Sequence, residues 1–424
     1  MARLCLLAIS VSAIFGSASA ENWPGWRGPR GDGTSAETGL PRHWSATDHV
    51  ACKIEVPGRG HASPVVWDDA IFLVSADEGS GERLLLCLDR AHGQTRWRRT
   101  VLSSPLEDKH ELNSYASSTP ATDGSRVYVT FLDRTEMVVA AYDMAGELCW
   151  LVRPGEFYSK HGFCSCPVLF EDKLIVNGDH DGKAYVVALD RQTGRTIWKI
   201  DRPNNTRSYS TPLIRQIDGR TQMILSGNRC VASYDPRDGR QHWIIDGPTE
   251  QFVASVVYGR QLIFMTCGYP DHHMLAIRPD GTGNVTESHV VWRTTKGASY
   301  VPSPVAIDDY FLVVSDGGVA SCFNATSGER HWMERIGSHY SASPVVAEGL
   351  VYFTSDDGVT SVIRPGRMFE LVATSRLDES CYASPAISQG QFFIRGEKHL
   401  YAIGAASSSV RGRRSSFLRV SRER

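Results

Sequence analysis

Beyond residue 20 the sequence has no apolar run approaching the ~18 residues that cross a bilayer as a helix, so no membrane span is expected. It also has almost no charge excess: 45 Lys and Arg stand against 47 Asp and Glu. Residues 411–424 hold six arginines and one glutamate, which leaves −7 for the remainder of a chain of net −2. A mildly acidic body gives no reason to expect nucleic acid or an anionic membrane as partner. Sustained helical periodicity is scarce, whereas glycine, with 38 residues, and proline, with 20, are plentiful. No G-x-S-x-G, H-E-x-x-H or phosphate-loop motif occurs, so the best-known signatures for a serine hydrolase, a zinc protease and a nucleotidase are missing. Nine cysteines follow residue 20, an odd number at irregular spacing, and none are adjacent. They lack zinc-site spacing and read mostly as buried thiols. Cys164 and Cys166 share one face of a strand, poorly placed to bond each other.

At the start, Arg3, the apolar stretch Leu4–Ile14 and the small residues Ala18-Ser19-Ala20 have the order of a cleavable secretory leader. No cysteine stands at the expected cleavage point, so a lipid anchor is not expected. The location predicted is periplasmic or extracellular.

The dominant pattern is Ala188-Leu-Asp190-Arg-Gln-Thr193-Gly194-Arg-Thr-Ile-Trp198. Asp190 and Gly194 are turn residues, and the tryptophan lies on the returning strand. The spacing recurs as Cys87, Asp89, Gly93, Trp97; as Ser233, Asp235, Gly239, Trp243; and as Cys322, Asn324, Gly328, Trp332. A copy one residue shorter ends at Trp150, and one with the insertion Thr282–Ser288 ends at Trp292. This is the tryptophan-docking motif of quinoprotein-type propellers. The chain resembles the PQQ-binding-like β-propeller repeat proteins, a bacterial family that includes the propeller lipoprotein of outer-membrane protein assembly. The lack of a lipidation cysteine departs from that lipoprotein. Trp97, Trp150, Trp198, Trp243, Trp292 and Trp332 are the docking residues implied, each expected to be buried between blades.

A second pattern, Ser or Thr before Pro, opens each repeat: Ser63, Thr119, Thr211, Ser303, Ser343 and Ser384, with Cys166 and Ser255 as variants. These eight anchors lie 40 to 56 residues apart, the period of propeller blades. The fold predicted is all-β: a single eight-bladed β-propeller of four-stranded antiparallel blades. In one unit the strands are read as Ser210–Ile214, Met223–Ser226, Val231–Tyr234 and Gln241–Ile245. The last two units lack the tryptophan, and the eighth ends at Gly404 without a fourth strand. Residues 50–56 are expected to supply it and close the ring, with Cys52 where tryptophan often stands. The domain reading is a leader at 1–20, an extension packed on the propeller at 21–45, the propeller at 46–404 and a disordered basic tail at 405–424.

Any site belongs at the channel mouth, just before the anchors. His61, Tyr115, His161, Tyr209, Tyr300, Tyr340 and Tyr382 are the candidate rim residues, since such rings offer apolar area with a polar handle. Asp179-His180-Asp181-Gly182 looks like part of a cation loop but lacks the full ligand set and reads as a hairpin turn. Asp271-His272-His273 reads as an exposed loop. Asn204, Asn284 and Asn324 open glycosylation sequons. No metal or catalytic set is assigned, and no cofactor is expected. The functional reading is a non-catalytic scaffold of the cell envelope, monomeric, binding a protein or peptide. Two alternatives stand beside it: a quinoprotein dehydrogenase holding PQQ and calcium, and a carbohydrate-binding propeller using the aromatic rim.

Overall fold

The computed structural model describes residues 20–405. The stretches read from the sequence as a leader, 1–20, and as a basic tail, 405–424, lie outside the described residues except at Ala20 and Ala405. Among the described residues thirty-three strands form eight sheets, seven of four antiparallel strands and one of five in which the added strand pairs in parallel. The sheets follow one another as the blades of a β-propeller. No helix among the described residues is long and apolar enough to cross a membrane.

Blade 3 shows the pattern, with strands Val168–Phe170, Lys173–Gly178, Tyr185–Asp190 and Thr196–Asp201 from the channel outward. The two middle strands are buried on both faces, which suits their continuous apolar runs. The outer strand alternates between exposed and partly covered residues. At its turn Asp190 Oδ1 accepts from the N–H groups of Gln192 and Thr193 at 3.0 and 2.7 Å, and from the Thr193 hydroxyl at 2.8 Å. Gly194 has φ +74°, and a Cβ there would lie 2.7 Å from the Trp150 ring. Only glycine fits both demands. A bulge after Ala188 then sets Trp198 opposite Ala188.

Each docking tryptophan reaches the next blade. The indole N–H groups of Trp97, Trp150, Trp198, Trp243, Trp292 and Trp332 donate to the carbonyls of Met144, Arg191, Pro236, Pro279, Ala325 and Gly366 at 2.9–3.2 Å. Their burial is less uniform than the sequence predicts. Trp243, whose strand is covered by a fifth strand through Gly283, is fully buried and Trp150 and Trp332 nearly so, but Trp97, Trp198 and Trp292 are half-buried.

The ring closes where expected. Val50–Glu55 pairs antiparallel with His399–Gly404 as the outer strand of blade 8. That blade therefore has no continuous turn before its outer strand, and blade 7 correspondingly has no tryptophan to dock. Trp44 fills the place instead: it is buried between the Tyr352 and Phe392 rings, at 6.5 and 5.4 Å between centroids. Cys52 and Ile54 pack against Gly93 of blade 1, as a docking tryptophan would.

Two details differ from the sequence reading. The inner strand of blade 4 is Leu213–Ile217, starting after Pro212, because Ser210 and Thr211 belong to the buried channel segment. The insertion after Gly281 forms Gly283–Asn284, which pairs in parallel with the outer strand of blade 4 as its fifth strand. Asp179 and His180 do lie in the connection between two strands, but both are buried. The Asp179 carboxylate meets Arg202 at 2.9 Å and Ser208 Oγ at 2.7 Å, inside a fully buried ion pair.

Candidate functional site: a central funnel closed at one end

The anchors form a hydrogen-bonded ring. The N–H of Ser63 donates to Thr119 Oγ1 at 2.9 Å, Thr119 N–H to Cys166 Sγ at 3.2 Å, and Cys166 N–H to Thr211 Oγ1 at 3.4 Å. The links continue through Ser255, Ser303, Ser343 and Ser384 at 2.8–2.9 Å. A small side chain with a lone pair at each anchor is what this geometry needs. Among the described residues the eighth link is not made, and Ser63 Oγ is a buried hydroxyl without a partner.

Above this ring opens a cavity of about 660 Å³, a size typical of ligand sites. Residues two before each anchor all line it: His61, Ser117, Cys164, Tyr209, Val253, Val301, Ser341 and Tyr382. Alternation along an extended backbone explains this, since positions two apart face the same way. Tyr300 and His161 also line the cavity. The structure thus brings together His61, His161, Tyr209, Tyr300 and Tyr382. Tyr340, three before its anchor, turns the other way: it is fully buried, and its hydroxyl donates to Ile336 O at 3.2 Å. His339 takes the place at the wall. Tyr115, four before its anchor, lies outside the cavity under the cations of Lys109 and Arg83, at 5.1 and 5.5 Å.

The wall also holds residues the sequence reading did not select. His110 and His272 line it, and Leu112 and Tyr269 are half exposed at its lip. His272 belongs to the Asp271–His273 loop, so that loop is not merely solvated. The far end is covered by the N-terminal segment. Trp23 exchanges backbone hydrogen bonds with Val66 at 2.8 and 2.9 Å, and Gly33 and Ser35 bond Val346 at 2.8 Å. Arg27, fully buried, donates to Pro304 O at 2.7 Å, and Asp32 pairs with Arg215 at 2.7 Å. These partners sit on blades 1, 7, 6 and 4, past the anchors, so the segment crosses the channel on the side away from the lip. Trp26, beside Arg27, is part of the cavity floor.

Inside the funnel burial sets the state of several titratable groups. Burial, helped by Arg395 and Lys109, pushes the His61 imidazole down to about 4. Burial and Arg207 do the same to His161. Both rings are neutral at pH 7. Burial pushes the Cys164 and Cys166 thiols up, away from the nucleophilic thiolate. Among the described residues Asp316 is the wall's one carboxylate, and both its oxygens accept backbone N–H groups, from Tyr300 at 2.9 Å and Val301 at 3.0 Å. Tyr300 donates to Gln251 Oε1 at 3.0 Å, and Tyr209 shares a hydrogen bond with Ser159 at 2.6 Å. Aromatic faces and hydroxyls held by hydrogen bonds therefore make up much of the wall. No group of three or more His, Cys, Asp or Glu positioned for a metal ion occurs among the described residues.

A sequence profile of the family described as outer membrane protein assembly factor BamB matches residues 82–256 and 284–365, more than half of the chain. No curated protein matches in sequence. Among solved structures, BamB from Moraxella catarrhalis is similar at a TM-score of 0.58 and 13% identity, over 84% of this chain and 98% of that one. A europium-containing methanol dehydrogenase is similar at 0.53 and 12%, over 89% and 90%. The computationally designed protein Ika8 is similar at 0.55 and 11%, over 82% and 98%. At these identities the likeness is one of fold.

Proposed function

The chain belongs to the family of the outer membrane protein assembly factor BamB, and from that premise we propose that it is a non-catalytic binding module of the cell envelope. Its central funnel receives a segment of a partner protein or a peptide. The observation that carries this reading is the funnel itself. It is open on one side, floored by the chain's own Trp26, and walled largely by tyrosine, histidine and small polar side chains. Such a wall takes an apolar or aromatic side chain by stacking and a peptide backbone through its hydroxyls and amides. The leader-like opening of the sequence agrees with export to the envelope.

The methanol dehydrogenase likeness raises the quinoprotein alternative, against which the donor set weighs. A bound calcium ion needs several oxygen ligands, and the only wall carboxylate already holds two backbone amides.

The test is site-specific photocrosslinking in the envelope. A photoreactive phenylalanine analogue at Tyr300, inside the funnel, should give a discrete adduct with one partner. The same analogue at Met368, on the outer side and 83% exposed, should not. Adducts from 368 alone would move the function to the blade edges. Saturable binding of pyrroloquinoline quinone with calcium, by calorimetry, would replace this reading with the enzymatic one.

A further inference from the structure

Glu37 is a buried carboxylate, 4% exposed. Its Oε1 accepts from Glu21 N–H at 2.5 Å and Gln389 N–H at 2.8 Å, and its Oε2 accepts from Gly390 N–H at 2.9 Å. No cation lies within ion-pair distance of it among the described residues. The nearby Arg90 guanidinium is turned to Ser388 and Gln391 instead. A buried charge held only by neutral amides is an incomplete arrangement, because burial of an ion without a counter-charge is costly.

The residue that meets Glu37 is bound at every polar atom. The Glu21 carbonyl accepts from Ser388 Oγ at 2.5 Å. Its carboxylate pairs with Arg30 at 2.7 and 2.8 Å and accepts Ala36 N–H at 2.8 Å. Ala20, one residue earlier, is exposed. The small-residue run Ala18-Ser19-Ala20, the pattern a leader peptidase reads, ends at this boundary.

We propose that the Ala20–Glu21 bond is the processing site, and that the new α-ammonium of Glu21 is the missing counter-ion of Glu37. A leader peptidase adds water across this bond. Ala20 leaves as a carboxylate on the released leader, and the Glu21 nitrogen takes up protons to become an ammonium. The neutral N–H···O contact then becomes a charge-assisted one. Processing thereby fastens the segment that carries Trp23, Trp26 and Arg27 across the channel and completes the funnel floor. This inference rests on residues 1–20 being a leader and is independent of what the funnel binds.

The experiment has two arms. In the first, the full chain is exported and the mature protein is weighed by intact mass spectrometry. A chain starting at Glu21 is expected; an intact leader overturns the leader reading, and a different first residue overturns the site. In the second, proteins starting at Glu21 and at Ser19 are released from a fusion partner that leaves no extra residue. The Glu21 form should melt roughly 1–2 °C higher, a small shift because the unfolding entropy of so long a chain is large. That difference should vanish in the Glu37→Gln background. Acetylating the α-amine of the Glu21 form, which leaves Glu37 intact, should remove the same increment should Glu37→Gln fail to fold. Equal melting of the two starts, or a difference that survives Glu37→Gln or acetylation, would overturn the pairing.

Discussion

His61 and His161 are the residues whose surroundings make the clearest prediction. Free histidine titrates near 6.5, and burial lowers both to about 4 in the folded chain. Above pH 6.5 the rings are neutral in either state and their contribution is complete. As pH falls from about 6.5 toward 4 the unfolded chain takes up protons that the folded chain refuses, so stability declines. Melting temperature followed from pH 7 to 4 should fall, and the double variant His61→Gln, His161→Gln should flatten that slope. At the same scale, Arg202→Ala strands the fully buried Asp179. A loss of about 3–5 kcal/mol is expected in denaturant unfolding, whereas exposed pairs such as Arg229–Glu250 should contribute under about 1 kcal/mol. The sequence could not separate these cases. Asp179-His180-Asp181-Gly182 has turn composition, and only the fold reveals Arg202 and Ser208 beside it.

Elements explain most of what the sequence did and did not reveal. The docking turn was legible because its chemistry is local: an acid or amide, a glycine and a tryptophan at fixed spacing, repeated. The wall of the funnel was legible only by phase. Selecting aromatic residues near the anchors admitted Tyr115 and Tyr340, which stand four and three positions before theirs. Taking the second residue before each anchor would have excluded both and found Ser117, Cys164 and Ser341, but would have passed over Tyr300 and His161, which reach the cavity from three and five positions before theirs. Trp26 and Trp44 lie in a segment that repeats nothing, so no internal comparison could place them. Docking strength should follow burial. Trp243→Ala, at 0% exposure, should cost about 3–5 kcal/mol, and the half-buried Trp198→Ala distinctly less. Urea midpoints of the two variants would rank them, and the reverse order would refute this account of blade contact.

At the scale of the whole molecule the N-terminal segment has three tasks. Residues 50–55 complete blade 8, Trp44 fills the space between blades 7 and 8, and residues 23–35 span the channel. Each joins early sequence to late sequence, so the ring closes only after the last blade exists. Long-range closure of this kind leaves no signature within any one repeat.

Seven of the eight anchor amides are engaged by a neighbour's side chain; among the described residues no such bond is made by the Ser384 amide, and the Ser63 hydroxyl has no partner. A ring with one unmade link has a beginning. In deuterium oxide the Ser384 amide should exchange ahead of the other seven, marking the seam between blades 8 and 1 as the place where the circle first breathes. A partner or ligand that bridges this seam would slow exchange there before it altered any other anchor, so the timing of one amide would report whether the funnel is filled.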